Sequence, residues 1–188
     1  YLMEKELQKR ILSSVILVPL SFFFIIKGSY FFIFFFSIAF FSTSYEWLRM
    51  SKNIYLNTAG LIFLFFSFHL AYLLRTEQGY KIFLFVILIS ILTDIGGYIF
   101  GKVFKGPKLS KISPKKTYSG VIGSFLLSLI FTNLFLEFSS NLQTSEFTKE
   151  MFLFILLVSF VSQLGDLIIS YFKRKSKMKD TGTIIPGH

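Results

Sequence analysis

Apolar runs too long for a soluble core recur along this chain, separated by short, mostly basic segments. Six can be marked, at roughly 11–26, 30–45, 57–74, 81–100, 120–138 and 151–172. A helix rises about 1.5 Å per residue, so runs of this length approach or match the ~30 Å hydrocarbon core of a bilayer. Lipid offers the backbone no hydrogen-bond partners, so each run must satisfy its own N–H and C=O groups, as a helix does. The expected fold is an all-α, polytopic integral membrane helix bundle with about six transmembrane helices. The first run follows Lys5, Lys9 and Arg10 and could pass for a secretory signal. No small-x-small cleavage pattern follows it, however, and the second run begins almost at once. Only Lys27-Gly28-Ser29 separates the two, which predicts a tight helical hairpin. No internal repeat and no Pro-rich or Gly/Ser-rich linker divides the chain. Residues 1–188 therefore read as one membrane-embedded domain.

Hydrophobic residues make up 53% of the chain and Phe alone supplies 27 positions, which reads as lipid-facing bulk. The net charge of +10 sits at the flanks of the apolar runs rather than on a soluble basic face. That points to anionic lipid head groups or a polyphosphate ligand, and away from nucleic acid. Sorted by side, sixteen Lys and Arg fall on the N-terminus, the Glu46–Asn53 and Lys102–Lys116 loops and the tail, and four on the opposite loops. The positive-inside rule then places the N-terminus, the long basic loop and the tail in the cytoplasm. Cysteine is absent and the histidines are His69 and His188, so thiolate and histidine-rich metal sites are excluded. Any metal should be a hard, oxygen-liganded ion such as Mg²⁺. His69 is expected to be a packed, hydrogen-bonded residue, and Trp47 an interfacial anchor.

Two carboxylates fall inside or close to hydrocarbon. Asp94 ends the fourth run in T-D-I-G-G-Y-I-F-G, and Asp166 ends the sixth in Q-L-G-D-L-I-I-S. An aspartate at a membrane helix centre costs roughly 2.5–3.5 kcal/mol on insertion scales, so each should be paired or functional. Gly97 and Gly101 form a small-xxx-small face for close helix approach. In the loop that follows, Ser113-Pro114 carries a capping hydroxyl and a first-turn proline, which predicts a helix start there. Lys115, Lys116 and Thr117 would then lie at a helix N-terminus, where free N–H groups favour phosphate. A Walker loop is absent. On a helix Asp166, Ser170, Lys173 and Lys177 share one face, offering a metal acceptor, a hydroxyl and two ammonium groups. The plain alternative is that both basic segments are cytoplasmic anchors on anionic lipid. That alternative leaves Asp94, Asp166 and the ordered K-D-T-G-T-I-I-P-G-H tail unexplained.

The tail S-Y-F-K-R-K-S-K-M-K-D-T-G-T-I-I-P-G-H resembles the signature of the phosphatidate cytidylyltransferases, or CDP-diacylglycerol synthases. That signature runs S-x-x-K-R, four residues, K-D, then G-x-x-x-P-G-H, and continues into G-G, an apolar residue and D-R-x-D. Every position through His188 matches, as does Q-L-G-D upstream. The block from Asp94 through I-S-P-K-K-T-x-x-G-x-x-G is also similar to the family. Two positions depart: Ser119 stands where a glutamate is common, and Ser124 where a glycine is usual. The closing acidic segment lies beyond His188, so the chain as written is expected to be incomplete at its C-terminus and inactive alone.

The resemblance implies transfer of a cytidylyl group from CTP to phosphatidate, giving CDP-diacylglycerol and pyrophosphate for phospholipid synthesis. It casts Asp166, Lys173 and Asp180 as catalytic and Asp166 and Asp94 as metal ligands. Ser113, Lys115, Lys116, Thr117, Ser170, Arg174, Lys179 and His188 become nucleotide or phosphate contacts. Mg²⁺ is the implied cofactor, with a second cation left open. The implied partners are CTP, phosphatidate and other anionic lipids, with a homodimer left open. The implied location is a bacterial inner membrane, the site facing the cytoplasm. Two other classes fit parts of the pattern: a CTP-dependent polyprenol or lipid kinase, and an ion-coupled transporter, since intramembrane Asp residues often mark ion paths.

Overall fold

The computed structural model describes residues 2–50, 53–110, 113, 116–138 and 148–176. Six helices account for nearly all of them: α1 Leu2–Lys27, α2 Ser29–Met50, α3 Ile54–Glu77, α4 Gly79–Phe104, α5 Tyr118–Phe138 and α6 Lys149–Lys175. Each expected apolar run lies on its own helix. By length and composition α2, α3, α4 and α6 are able to cross a membrane, while α1 and α5 carry shorter apolar stretches at Ile11–Lys27 and Tyr118–Leu134. The chain is thus an all-α integral membrane protein. Its residues fall into two compact units, Tyr1–Phe83 with Ser176–His188, and Leu84–Lys175.

In the first unit the short link between α1 and α2 forms the hairpin that its length demands. Gly28 and Ser29 both take left-handed backbone angles, φ +65° and +51°. The Gly28 N–H closes α1 onto the Phe24 carbonyl at 3.1 Å, and its own carbonyl receives the Phe32 N–H of α2 at 3.2 Å. Arg75, near the end of α3, completes the cap. Its Nε donates to the Ile25 carbonyl at 2.7 Å and its Nη2 to that of Ile26 at 3.3 Å. The guanidinium also lies over the Phe32 and Tyr80 rings. A cation at a helix C-terminus satisfies orphan carbonyls and complements the dipole.

Asn53 starts α3 as its N-cap, accepting from the backbone N–H groups of Tyr55 and Leu56. Trp47 of α2 packs into the notch that Gly60 leaves on α3 and donates from Nε1 to the Leu56 carbonyl. This ring is a helix–helix wedge near the end of α2. His69 is exposed and stacks flat on Phe65. Among the described residues it has no hydrogen-bond partner, so the expected bonded histidine is not found.

In the second unit Phe85 and Ile89 of α4 and Ile155 of α6 form the apolar centre, with Leu129, Met151 and Val158 packed against it. Beside this centre lies a buried polar seam. The Thr93 and Ser159 hydroxyls bond each other at 2.8 Å, and the Ser124 hydroxyl donates to the Thr93 carbonyl at 2.7 Å. One residue from each of α4, α5 and α6 is thereby joined, as small polar side chains commonly do between helices in lipid. Gly96 brings α4 and α5 together: a Cβ there would lie 2.6 Å from the Gly123 carbonyl oxygen. The expected small-residue contact is present, and it begins one residue before Gly97.

Candidate functional site

Inside the second unit the three helices and the loop before α5 enclose a cavity of about 290 Å³. Its lining gathers Asp94 from α4, Ser113, Lys116 and Thr117 from the loop, and Asp166 from α6. Each of these five was singled out from the sequence. Lys116 and Asp166 are fifty positions apart, and Lys116 Nζ donates to Asp166 Oδ2 at 2.9 Å. The side chains keep 29% and 53% of their exposure, so the pair stays accessible to an incoming charged group. No hydrogen bond reaches the Asp94 carboxylate among the described residues.

The loop reaches this geometry by a route that the sequence reading did not anticipate. Ser113 does not begin the helix, and Pro114 lies outside the described residues. Lys116 and Thr117 are non-helical, and α5 starts at Tyr118. Thr117 acts as the cap, its Oγ1 accepting the Gly120 N–H at 3.1 Å. Ahead of it the chain folds back like a short hairpin. Leu109 N–H donates to the Lys116 carbonyl, Tyr118 N–H to that of Pro107, and Lys116 N–H to that of Ser113. Residues Lys108 and Thr117 pair in antiparallel fashion. Backbone pairing across the loop outweighs the local Ser-Pro signal, and it sets Lys116 just before the cap, facing the cavity. Ser113 lines that cavity too, but as a turn residue.

On α6 the expected polar face is present, though its members differ in what they can do. The Ser170 hydroxyl donates to the Asp166 carbonyl at 2.7 Å, a back-bond to the preceding turn. Ser170, Lys173 and Arg174 lie beyond the cavity lining, toward the C-terminal end of α6. Lys115, Lys177, Lys179, Asp180 and His188 lie outside the described residues. Gln163, one turn before Asp166, and Thr93 and Tyr98 of α4 also line the cavity, and the sequence alone assigns them no role. The signal available for Gln163 was its place in Q-L-G-D, three residues ahead of the carboxylate.

The donor set bears on a metal. Among the described residues no cluster of three or more Asp, Glu, His or Cys side chains forms. Asp94 and Asp166 supply two carboxylates to one cavity. That set suits Mg²⁺, which is commonly bound by one or two carboxylates with water and substrate phosphate completing its octahedron. It would not suit an all-protein cage.

Fold and site together define a polytopic helical membrane protein with a charged cavity between its helices. The profile of the cytidylyltransferase family matches residues 54–188. This chain belongs to that family. A phosphatidate cytidylyltransferase of Rickettsia felis is 33% identical over 193 aligned positions, covering 98% of this chain and 84% of the relative. One from Rickettsia typhi is 38% identical over 151, covering 76% and 65%. One from Staphylococcus saprophyticus is 38% identical over 122, covering 62% and 45%. The chain thus spans less than two thirds of the length of several relatives that it matches.

Proposed function

We propose that this chain carries the site at which a cytidylyl group passes from CTP to phosphatidate, forming CDP-diacylglycerol and pyrophosphate. The observation carrying this reading is the Lys116–Asp166 pair on a cavity that Asp94 also lines. A cation for phosphoryl oxygens and two carboxylates for a divalent ion are what nucleotidyl transfer requires of a protein. The names of the relatives supply the substrates. In the reaction an anionic oxygen of the lipid phosphate attacks the α-phosphorus of CTP. The bond from that phosphorus to the α–β bridging oxygen breaks, and pyrophosphate leaves with the electron pair. The nucleophile is already ionised, so no general base is needed.

Lys116 is placed to leave Asp166 and take a phosphate oxygen, stabilising charge as it moves toward the leaving group. Asp94 and Asp166 would hold Mg²⁺, which supplies Lewis-acid stabilisation of the triphosphate. Lys173 and Arg174, in the last turn of α6, add positive potential along the same helix. The count of basic residues supports a cytoplasm-facing site in a bacterial inner membrane. The test is incubation of the full-length protein, purified in detergent–lipid micelles, with phosphatidate and CTP labelled in the base. Label in lipid supports the reading. Transfer of the γ-phosphate alone indicates a lipid kinase, and absence of both overturns it.

A further inference from the structure

Asp94, Tyr98 and Lys102 recur every four residues on α4 and so share one face, each about 6 Å along the axis from the last. The row leads out of the cavity. Asp94 and Tyr98 line it, and Lys102 stands beyond the lining in the last turn of the helix. Lys102 Nζ donates to the Tyr98 phenol oxygen at 3.4 Å and lies 5.5 Å from the ring centroid. That bond is long. Among the described residues the phenol proton has no acceptor and no carboxylate pairs with Lys102. The Tyr98 side chain is 67% exposed, so a ligand can reach it. Other polar groups of the lining are committed: Thr93 bonds Ser159, Thr117 caps α5, and Lys116 holds Asp166.

A tyrosine and a lysine near a membrane helix end commonly serve as interfacial anchors. Tyr98 instead lines the same cavity as both carboxylates. Helices α4 and α6 run in the same direction, since Ile89 packs with Ile155 and Thr93 bonds Ser159. Lys102 therefore ends on the same side as Lys173 and Arg174. At about 290 Å³ the cavity lies at the lower edge of the ~300–1,000 Å³ typical of small-molecule sites. A reaction between two phosphate-bearing substrates needs more room, so part of one must rest on the rim.

We propose that Tyr98 and Lys102 form a phosphate seat on that rim, the phenol O–H and the ammonium both donating to the oxygens of one phosphoryl group. This rests on the phosphate-handling reading of the site and adds a second phosphate position, one helical turn from Asp94. Phosphoryl oxygens accept and an ammonium only donates, so the pairing is charge-assisted. The phosphoryl group belongs either to the nucleotide or to the lipid, and kinetics separates the two.

The experiment uses the full-length protein and compares wild type with Tyr98→Phe, Lys102→Gln and Lys102→Arg. The readouts are KM for CTP, KM for phosphatidate, kcat, and the melting temperature without ligand. Tyr98→Phe keeps the ring and removes only the hydroxyl, so the melting temperature should hold. One KM should rise roughly tenfold to hundredfold in Tyr98→Phe and in Lys102→Gln, as for loss of a hydrogen bond to a charged group. Lys102→Arg should keep most of the affinity. The substrate whose KM responds identifies the source of the phosphate. Unchanged KM values in Tyr98→Phe, with wild type active, would leave the ring as an anchor or a stacking surface and overturn the proposal alone. A melting temperature that falls together with activity would make the pair structural and overturn it too. A wild type that labels no lipid overturns the underlying reading and this inference together.

Discussion

Lys116 and Asp166 meet at 2.9 Å although fifty residues separate them in the chain. Because both remain partly exposed, the pair contributes little to stability, below about 1 kcal/mol by analogy with surface pairs. Its value lies in where it holds the two charges. Asp166→Asn should therefore abolish cytidylyl transfer while membrane insertion and melting temperature stay near wild type. Lys116→Gln should raise the CTP requirement or lower turnover about tenfold to hundredfold, the loss of one charge-assisted contact. Lys105→Gln and Lys108→Gln should do little. CTP-saturation kinetics on all four variants in one lipid mixture decides the matter, and equal small effects would reduce the loop to an anchor.

The orientation is open to a direct test because the chain contains no cysteine. Single cysteines at Ser110 and Ser176 should resist an impermeant thiol reagent in intact cells and react after lysis. Labelling of either from outside would reverse the topology.

Substitution of Gly96 probes the contact between α4 and α5. An added Cβ meets the Gly123 carbonyl oxygen at 2.6 Å and Ser124 Cα at 2.9 Å, both backbone atoms that cannot swing aside. Gly96→Ala should cost about 1–3 kcal/mol, the range for overpacking. At Gly165 a Cβ meets nothing within 4 Å, and alanine is the better helix former. Gly165→Ala should leave the melting temperature level or slightly raised. Thermal melts of the two variants in the same detergent provide the comparison.

The Thr93–Ser159 bond invites a double-mutant cycle. Thr93→Val and Ser159→Ala should show a coupling of roughly 0.6 kcal/mol, and not above about 1.7, as found for hydrogen bonds between membrane helices. Additive effects within error would mean that the hydroxyls pack without a net bond.

Much of this arrangement was readable from the residues. Six apolar runs gave six helices, because hydrocarbon leaves the backbone few choices. Asp94 and Asp166 stood out as charges where charge is expensive, and they line one cavity. The start of α5 was not readable. Ser113 and Thr117 are both good caps, and the choice was made by hydrogen bonds between residues 107–109 and 116–118, which no local propensity encodes. Gln163 stands in the matching Q-L-G-D, but a neutral amide in a sequence suggests no role of its own. Only its unpartnered nitrogen, visible in three dimensions, marks it out. The wedge that Trp47 makes is not readable for a related reason, since the notch at Gly60 is seen only in three dimensions.

Arg75 closes the end of α1 from fifty residues away. During synthesis, α1 and the turn after it are made well before that guanidinium exists. The carbonyls of Ile25 and Ile26 must wait for α3 to be made and inserted before this donor reaches them. Assembly of the first unit is thus vectorial, with its opening hairpin provisional until the third helix arrives. A nascent chain arrested before residue 75 should leave that turn accessible to protease, and one arrested far enough on for α3 to have left the ribosome should protect it.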